Sequence, residues 1–583
     1  MKYFLKLLFL FIGIMQLRAQ DLPKGFAPGE ELLMDNYLNQ KYQQKSAALI
    51  NTPPQYSNLR NAAEWEEIQT LMITWTSYTP IHRQIILAAQ NETKITIVCS
   101  DSNAVKSNLN SNSVPLTNLR FVVAPFNSVW IRDYFGNSVY GKYVDSLILV
   151  DWIYNRPRPL DDVIPTVIGS NLNIPVYETT QSPNWNLIHT GGNYMSDGLG
   201  TAFSSTLTDQ ENPTKTVAMI DTIMKKFMGI NRYIRMPTLP YDGIHHIDMH
   251  MKLLDEETLL VGEYPTGVAD GPQIEANLAW ILANYNSVFG TPYKVIRIPM
   301  PKDKNNKWPN QSGGWYCTFT NGVFVNKSYI FPTFYQQYDT TAFRILKASL
   351  PGYKITGIDC DEPSSPIISA SGAIHCITHA VHVNDPLLIT HQRLSDKCQN
   401  ESSYAVSAKV FHKTGLNNVT LYWTNDTLMG FTPLNMTLVN PNTGEYAANI
   451  PQQNVGQTIY YYISANAVSG KTITRPITAP LGRWTFKVQS CITGIQKFNK
   501  DEMKPVYPNP AGSITCIPLH VNGLKKVNVT LLNALGQEVA ELYSGMCEGD
   551  KNVFLHAENY SKGVYFIRFQ SNESVYTQKL IIK

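Results

Sequence analysis

The run TLMITWTSYTPIHRQIILAAQNETKITIVC, Thr70 to Cys99, decides how the larger part of this chain is read. Thr70–Trp75 is apolar and β-branched and reads as a strand. Pro80–Gln90 has a helical pattern, and Lys94–Cys99 is a second strand. The alternation continues on both sides of it. Strands are expected at Leu119–Ala124, Leu147–Tyr154, Lys294–Ile298, Gly322–Phe331 and Tyr353–Ile358, and helices at Thr216–Met228 and Gln273–Tyr285. Strands alternating with helices predict an α/β domain, given the bounds 56–395.

Beyond about residue 400 the pattern changes to short alternating strands with Asn/Gly turns: Tyr404–Phe411, Val419–Trp423, Gly444–Ile450 and Thr458–Ala465. Residues 396–490 read as a β-sandwich of immunoglobulin type. A linker over 491–505, charged at Phe498–Glu502, leads to a β-rich module over 506–583. That module opens on VYPNP, Val506–Pro510, and closes on GVYFIRF, Gly563–Phe569, and Gln578–Lys583. At the other end, Lys2 and Lys6 followed by the apolar run Leu7–Met15, with Ala19 before Gln20, read as a secretory signal over 1–20. The polar residues 21–55 are expected to be a loosely held lead-in.

The chain has 583 residues and a formal net charge of +3, so neither nucleic acid nor an anionic membrane is implied as a partner. No later stretch is apolar for long enough to span a bilayer. Eight cysteines over this length do not make a disulfide scaffold. Export permits disulfides, and Cys398–Cys491 and Cys516–Cys547 are the expected pairs.

The chemistry gathers in five stretches. SGAIHCITH, Ser371–His379, sets Cys376 between histidine-bearing flanks, with Gly372 leaving room for a ligand's approach. A cysteine attacks as the thiolate, which nearby cations favour; the alternative is a small buried apolar side chain. WIRDY, Trp130–Tyr134, places Asp133 among aromatics, where it needs a cation or donors, unless Arg132 and Asp133 simply pair on a loop. DWIYNRPRP, Asp151–Pro159, puts Arg156 and Arg158 two apart in a proline-held extended chain, suited to clamping a carboxylate; a solvated basic loop is the alternative. TGGNY, Thr190–Tyr194, allows a close backbone approach. GIHHIDMH, Gly243–His250, read as a strand, places His246, Asp248 and His250 on one face. A general acid/base histidine beside an acid is preferred there to a metal site or a core His–Asp pair.

WIRD, TGGNY, HHID and AIHC, in this order and spacing, resemble the guanidine-modifying enzyme superfamily, in its agmatine deiminase and bacterial peptidylarginine deiminase branch. The VDWIYNRPRP stretch, the sandwich and the last module make the secreted Porphyromonas-type peptidylarginine deiminases most similar. The last module itself resembles the C-terminal sorting domains of the Bacteroidetes type IX secretion system. The resemblance implies a five-bladed pseudo-symmetric α/β propeller (pentein) with a central site. It also implies passage across the outer membrane, with release or surface attachment, and hence the secretion machinery as a partner. It places the nucleophile on Cys376, the acid/base on His246 and the guanidinium-binding carboxylates on Asp133 and Asp248. The carboxylate clamp falls on Arg156 and Arg158, with Trp130 and Asn321 lining the pocket. Where the secreted enzymes carry a pocket tyrosine this chain has Gly243, and Tyr241 is close by but out of register.

The expected reaction is hydrolysis of an arginine guanidinium to citrulline and ammonia through a covalent thiouronium, with no metal or organic cofactor. The clamp points to peptides ending in arginine. The alternatives are an agmatine deiminase-like enzyme, a Cys–His peptidase or amidase, and a surface adhesin carrying an inactive deiminase-like domain.

Overall fold

A computed structural model describes residues 22–43, 50–490, 501–571 and 574–583. The expected signal over 1–20 lies outside them. Within the α/β domain the same unit recurs five times among the described residues: an antiparallel strand pair, a helix, and a strand parallel to the second of the pair. The strand Ile68–Thr74, the helix Thr79–Ala89 and the parallel strand Lys94–Cys99 form the first. The others are built on the parallel pairs Ser146–Tyr154 with Val176–Thr179, Thr201–Ser205 with Arg232–Met236, Thr258–Glu263 with Lys294–Pro299, and Ser328–Thr333 with Lys354–Asp359. The first sheet takes its antiparallel partner from the far end of the domain: His379–His382 pairs with Ile68–Thr74. That pairing places the end of the Cys376 segment against the first strand of the domain.

Ile68–Thr74 is covered on both faces, which is why its sequence is a continuous apolar run rather than an alternation. Leu71 and Ile73 pack with Ile85 and Ile86 of the helix and Ile97 of the next strand in one shared core. The expected single strand Gly322–Phe331 is instead a hairpin. Val323–Val325 turns back on Ser328–Thr333 at Asn326, whose φ of 50° a short polar residue tolerates.

Residues 388–489 form two facing sheets. Ser403–Phe411 buries Tyr404, Val406, Ala408 and Val410, and Thr458–Ala467 buries Ile459, Tyr461, Ile463 and Ala465, against one core. Arg475 holds Glu256 of the α/β domain by both carboxylate oxygens, at 2.9 and 2.7 Å. The last module is a five-stranded sheet built on the long pair Ile514–Leu532 and Glu538–His556. No helix among the described residues is long and apolar enough to cross a membrane.

Two expectations are corrected here. Cys516 and Cys547 are both free and buried. Cys516 lies opposite Phe554 and Cys547 opposite Lys525, so seven positions of one strand separate them. At about 3.3 Å per residue that gap is far beyond a disulfide's reach. Cys398 is disulfide-bonded, and Cys491, its expected partner, lies outside the described residues. The lead-in is not loose either. Met34–Gln43 is a helix that buries Tyr37 against Ile153 and Ile188, and Lys41 reaches Asp162 at 2.5 Å.

Candidate active site

Cys376 sits in the turn just before His379–His382 and is fully buried. Its carbonyl accepts from the Arg132 backbone at 3.2 Å, which joins it to the short helix Ile131–Tyr134 carrying Asp133. Asn321 supports the next residue back: its side-chain oxygen and its carbonyl both accept from the His375 N–H, each at 3.1 Å. Its Nδ2 lies 3.3 Å from the Cys376 sulfur. Asp248 Oδ2 lies 3.9 Å from that sulfur, and His246 Nδ1 lies 3.5 Å from Asp133 Oδ1. The cysteine, the imidazole and both acids are therefore brought together from distant stretches of the sequence.

The GIHHIDMH stretch is not a strand. Asp242 accepts from the backbones of Ile244 and His246 at 3.2 and 2.9 Å, His245 takes a φ of 57°, and Ile247–Met249 is a 3-10 turn. The side-chain acceptor competes with the ladder and closes a turn. His246 and Asp248 still face the same pocket, whereas His250 is buried apart from it with neither ring nitrogen paired among the described residues.

The glycines have definite tasks. A Cβ on Gly192 would lie 2.4 Å from His246 Nδ1 and 2.8 Å from Asp133 Oδ1, and one on Gly191 would lie 2.0 Å from the Arg132 carbonyl. Gly192 also donates its N–H to Asp133 at 3.2 Å. Gly372 makes room for a different neighbour than expected: a Cβ there would stand 2.4 Å from the Trp130 ring, not in a ligand's path. At Gly243 a side chain would meet nothing within 4 Å, and Tyr241 is 49% exposed, away from the pocket floor.

The arginines bend rather than extend. Arg158 donates its N–H to the Arg156 carbonyl at 2.7 Å, and the chain enters a helical turn at Pro159–Asp162. Arg158 grips the Glu30 carboxylate in a fork, Nε–Oε1 at 2.8 Å and Nη2–Oε2 at 2.9 Å. Arg156 lies over the Phe26 ring at 4.3 Å.

Sequence reasoning missed three members of the site. Lys24, 2% exposed, donates to the Cys376 sulfur at 2.7 Å. His375 lies 2.7 Å from Asp248 Oδ2 through Nδ1 and 2.6 Å from Glu64 Oε1 through Nε2. Glu64 is held by Arg132 at 3.2 Å and by Lys252. His375 was visible beside the cysteine, but nothing in the sequence marks Glu64 or Lys24.

Burial and charge pull these groups in opposite directions. Burial pushes the Cys376 thiol up to about 12, although Lys24 beside it works the other way. Burial also works against the Asp248 carboxylate, but Lys24 and the His375 bond outweigh it and hold its pKa well down. Asp133 is raised by burial, partly offset by Lys24. Burial, then the Lys24 charge, hold His246 well below the ordinary histidine range, so the imidazole is neutral.

The sequence profile of the Porphyromonas-type peptidyl-arginine deiminases matches residues 60–381, more than half of the chain. The chain belongs to this family. The family comprises hydrolases of guanidino C–N bonds, and all the residues just described except Lys24 and the Phe26–Glu30 stretch lie inside the matched span. A secretion-system C-terminal sorting domain profile matches residues 505–583, which makes this a type IX cargo, secreted or attached at the surface. The agmatine deiminase of Pseudomonas syringae pv. tomato is 21% identical over 366 residues, covering 56% of this chain and 97% of its own. The solved agmatine deiminase of Enterococcus faecalis has a TM-score of 0.50 at 16% identity, covering 58% of this chain and all of its own, and shares the deiminase fold. The solved agmatine deiminase of C. jejuni matches with a TM-score of 0.46 at 19% identity, over 56% of this chain and 96% of its own.

Proposed function

We propose that this chain is a secreted peptidylarginine deiminase that converts arginine, preferentially at the C-terminus of peptides, to citrulline and ammonia. One observation carries the reading: the Lys24 ammonium donates to the buried Cys376 sulfur at 2.7 Å, in a pocket that also holds Asp248, 3.9 Å from that sulfur, and Asp133 with His246 beside it. A planar guanidinium there would donate to the two carboxylates along its N–H edges and present its carbon to sulfur.

The steps follow from these residues. The substrate cation, taking the place of Lys24, favours the thiolate, and the thiol proton passes to the neutral His246 imidazole, which becomes the imidazolium. Sulfur attacks the guanidinium carbon, and a tetrahedral carbon forms. His246 passes a proton to the departing nitrogen, the C–N bond breaks, and ammonia leaves a thiouronium on Cys376. The imidazole then takes a proton from water, which adds to the same carbon; the C–S bond breaks, releasing citrulline and regenerating the thiolate. Asn321, 3.3 Å from the sulfur, and Trp130, against Gly372, line the pocket.

The preference for a carboxylate-bearing substrate is supported by Arg158, which already binds a carboxylate in the bidentate manner, that of Glu30. The second reading, agmatine, is favoured by the names of the relatives, and agmatine would leave that fork unpaired. The five recurring sheets are read here as five blades of a pentein propeller, and residues 396–490 as an immunoglobulin-type sandwich. The site residues come from connections of different sheets, as a central site requires. The deciding experiment measures citrulline, or agmatine's carbamoyl product, at equal concentrations well below KM for a C-terminal arginine peptide, an internal arginine peptide and agmatine, with Cys376→Ala as control. A clear order with C-terminal arginine first supports the proposal; agmatine turned over equally well removes it.

A further inference from the structure

Residues Leu22–Glu30 cross the mouth of the site and turn two side chains inward. Lys24 is 2% exposed and Glu30 8%, while Pro23, Phe26, Pro28 and Gly29 between and beside them face solvent. Lys24 donates to the Cys376 sulfur at 2.7 Å and to the Ser371 carbonyl at 3.3 Å, and its ammonium lies 5.9 Å from the centre of the Trp130 ring. Glu30 fills the Arg158 fork, and Arg158 also donates to the Gly25 carbonyl at 2.9 Å. Trp130 Nε1 donates to the Leu22 carbonyl at 2.9 Å. A lysine buried to this degree persists only where opposite charge and acceptors compensate it, and the groups that do so are those that would bind a substrate. The following helix, Met34–Gln43, fastens the segment to the domain through Tyr37 and the Lys41–Asp162 pair.

We propose that Leu22–Glu30 is an intramolecular pseudosubstrate, in which Lys24 takes the place of the guanidinium and Glu30 that of the carboxylate, so that the enzyme is exported closed and opens when this segment is displaced. The inference rests on the deiminase reading and adds its regulation. Lysine suits the task chemically. It supplies a cation to Asp133, Asp248 and the cysteine, but it has no electron-poor sp² carbon for sulfur to attack, so it occupies the site without being consumed. Being tethered, the segment competes at a high effective concentration. A substrate sees only the open fraction, and its apparent affinity falls by that fraction.

Two variants of the full chain test this. In Lys24→Met the KM for a C-terminal arginine peptide falls by about tenfold or more, because the closed state is no longer populated. In Lys24→Arg the pseudosubstrate becomes a substrate. Sulfur adds to its guanidinium carbon, ammonia leaves, water replaces sulfur, and position 24 gains the mass of an arginine-to-citrulline conversion. The rate is independent of protein concentration, and the change is absent when Cys376→Ala is added. If added arginine compounds are turned over while position 24 stays unmodified and Lys24→Met keeps the wild-type KM, the proposal is overturned and the deiminase reading stands. A drop in kcat at unchanged KM in Lys24→Met overturns it as well, since Lys24 would then be an activator. If no variant releases ammonia from any arginine compound, the deiminase reading fails, and this inference with it.

Discussion

His375 Nδ1 lies 2.7 Å from Asp248 Oδ2, and the far side of the same ring lies 2.6 Å from Glu64. One imidazole thus fixes a pocket carboxylate from behind, and Glu64 is fixed in turn by Arg132 and Lys252. Burial alone would raise the pKa of Glu64; Lys252 first, then His375, bring it well below the ordinary carboxylate value.

Glu64→Gln should therefore act on both stability and rate. It strips Arg132 and Lys252 of their buried counter-charge at a cost of about 3 kcal/mol, the low end for a broken buried pair because Glu64 is partly exposed. A group whose folded pKa is depressed stabilises above its unfolded pKa and stops doing so as pH falls through the folded one. Wild type should thus lose stability progressively as pH drops below about 4.3, and Glu64→Gln should lose less over that range. Thermal melts across pH check the slope, and identical slopes would dismiss the coupling.

Gly192→Ala should cripple catalysis while leaving most of the fold intact. The added methyl meets His246 Nδ1 at 2.4 Å and Asp133 at 2.8 Å, and neither can withdraw without leaving the pocket. A displacement of that order costs about 10²-fold in kcat, and overpacking about 1–3 kcal/mol in stability. Steady-state kinetics beside a melting curve separate the two effects; wild-type kcat would show that this contact is soft.

Arg158→Ala should discriminate between substrates. Losing the fork removes a charge-assisted bidentate contact of about 1.5–3 kcal/mol, so KM for a C-terminal arginine peptide should rise about 10- to 100-fold. Agmatine, without a carboxylate, should be unaffected or improved. A parallel rise for both compounds would show that Arg158 only supports the fold.

The Cys376 thiol, pushed up to about 12 mainly by burial, should be labelled by iodoacetamide slowly at neutral pH. The rate should still be climbing beyond about pH 8.5, where an ordinary free cysteine is half thiolate. The raised pKa keeps sulfur protonated until strongly alkaline conditions. Peptide mapping of the labelled cysteine across pH measures this, and a plateau near that value would refute the shift.

The sequence by itself determined a great deal of this molecule. Apolar, β-branched runs placed Lys94–Cys99 to the residue and most of the other strands expected from the sequence to within one or two, while strands such as Thr201–Ser205 and Thr258–Glu263 were not read at all. The alternation from Tyr404 onward marked strands of the two facing sheets, because side chains there face core and solvent in turn. Cys376, His246, Asp133 and Asp248, which the fold brings together, could be singled out as candidates because their motifs are local. Only the tertiary structure decided what fills the pocket and what stands behind it. Lys24, Glu30 and Glu64 look like ordinary charges in polar stretches, and their burial is set by partners such as Cys376, Arg158 and Lys252, hundreds or scores of residues away. Local pattern encodes which face of an element is apolar; it carries no information about which distant charge a buried cation will meet, since that depends on how the elements pack.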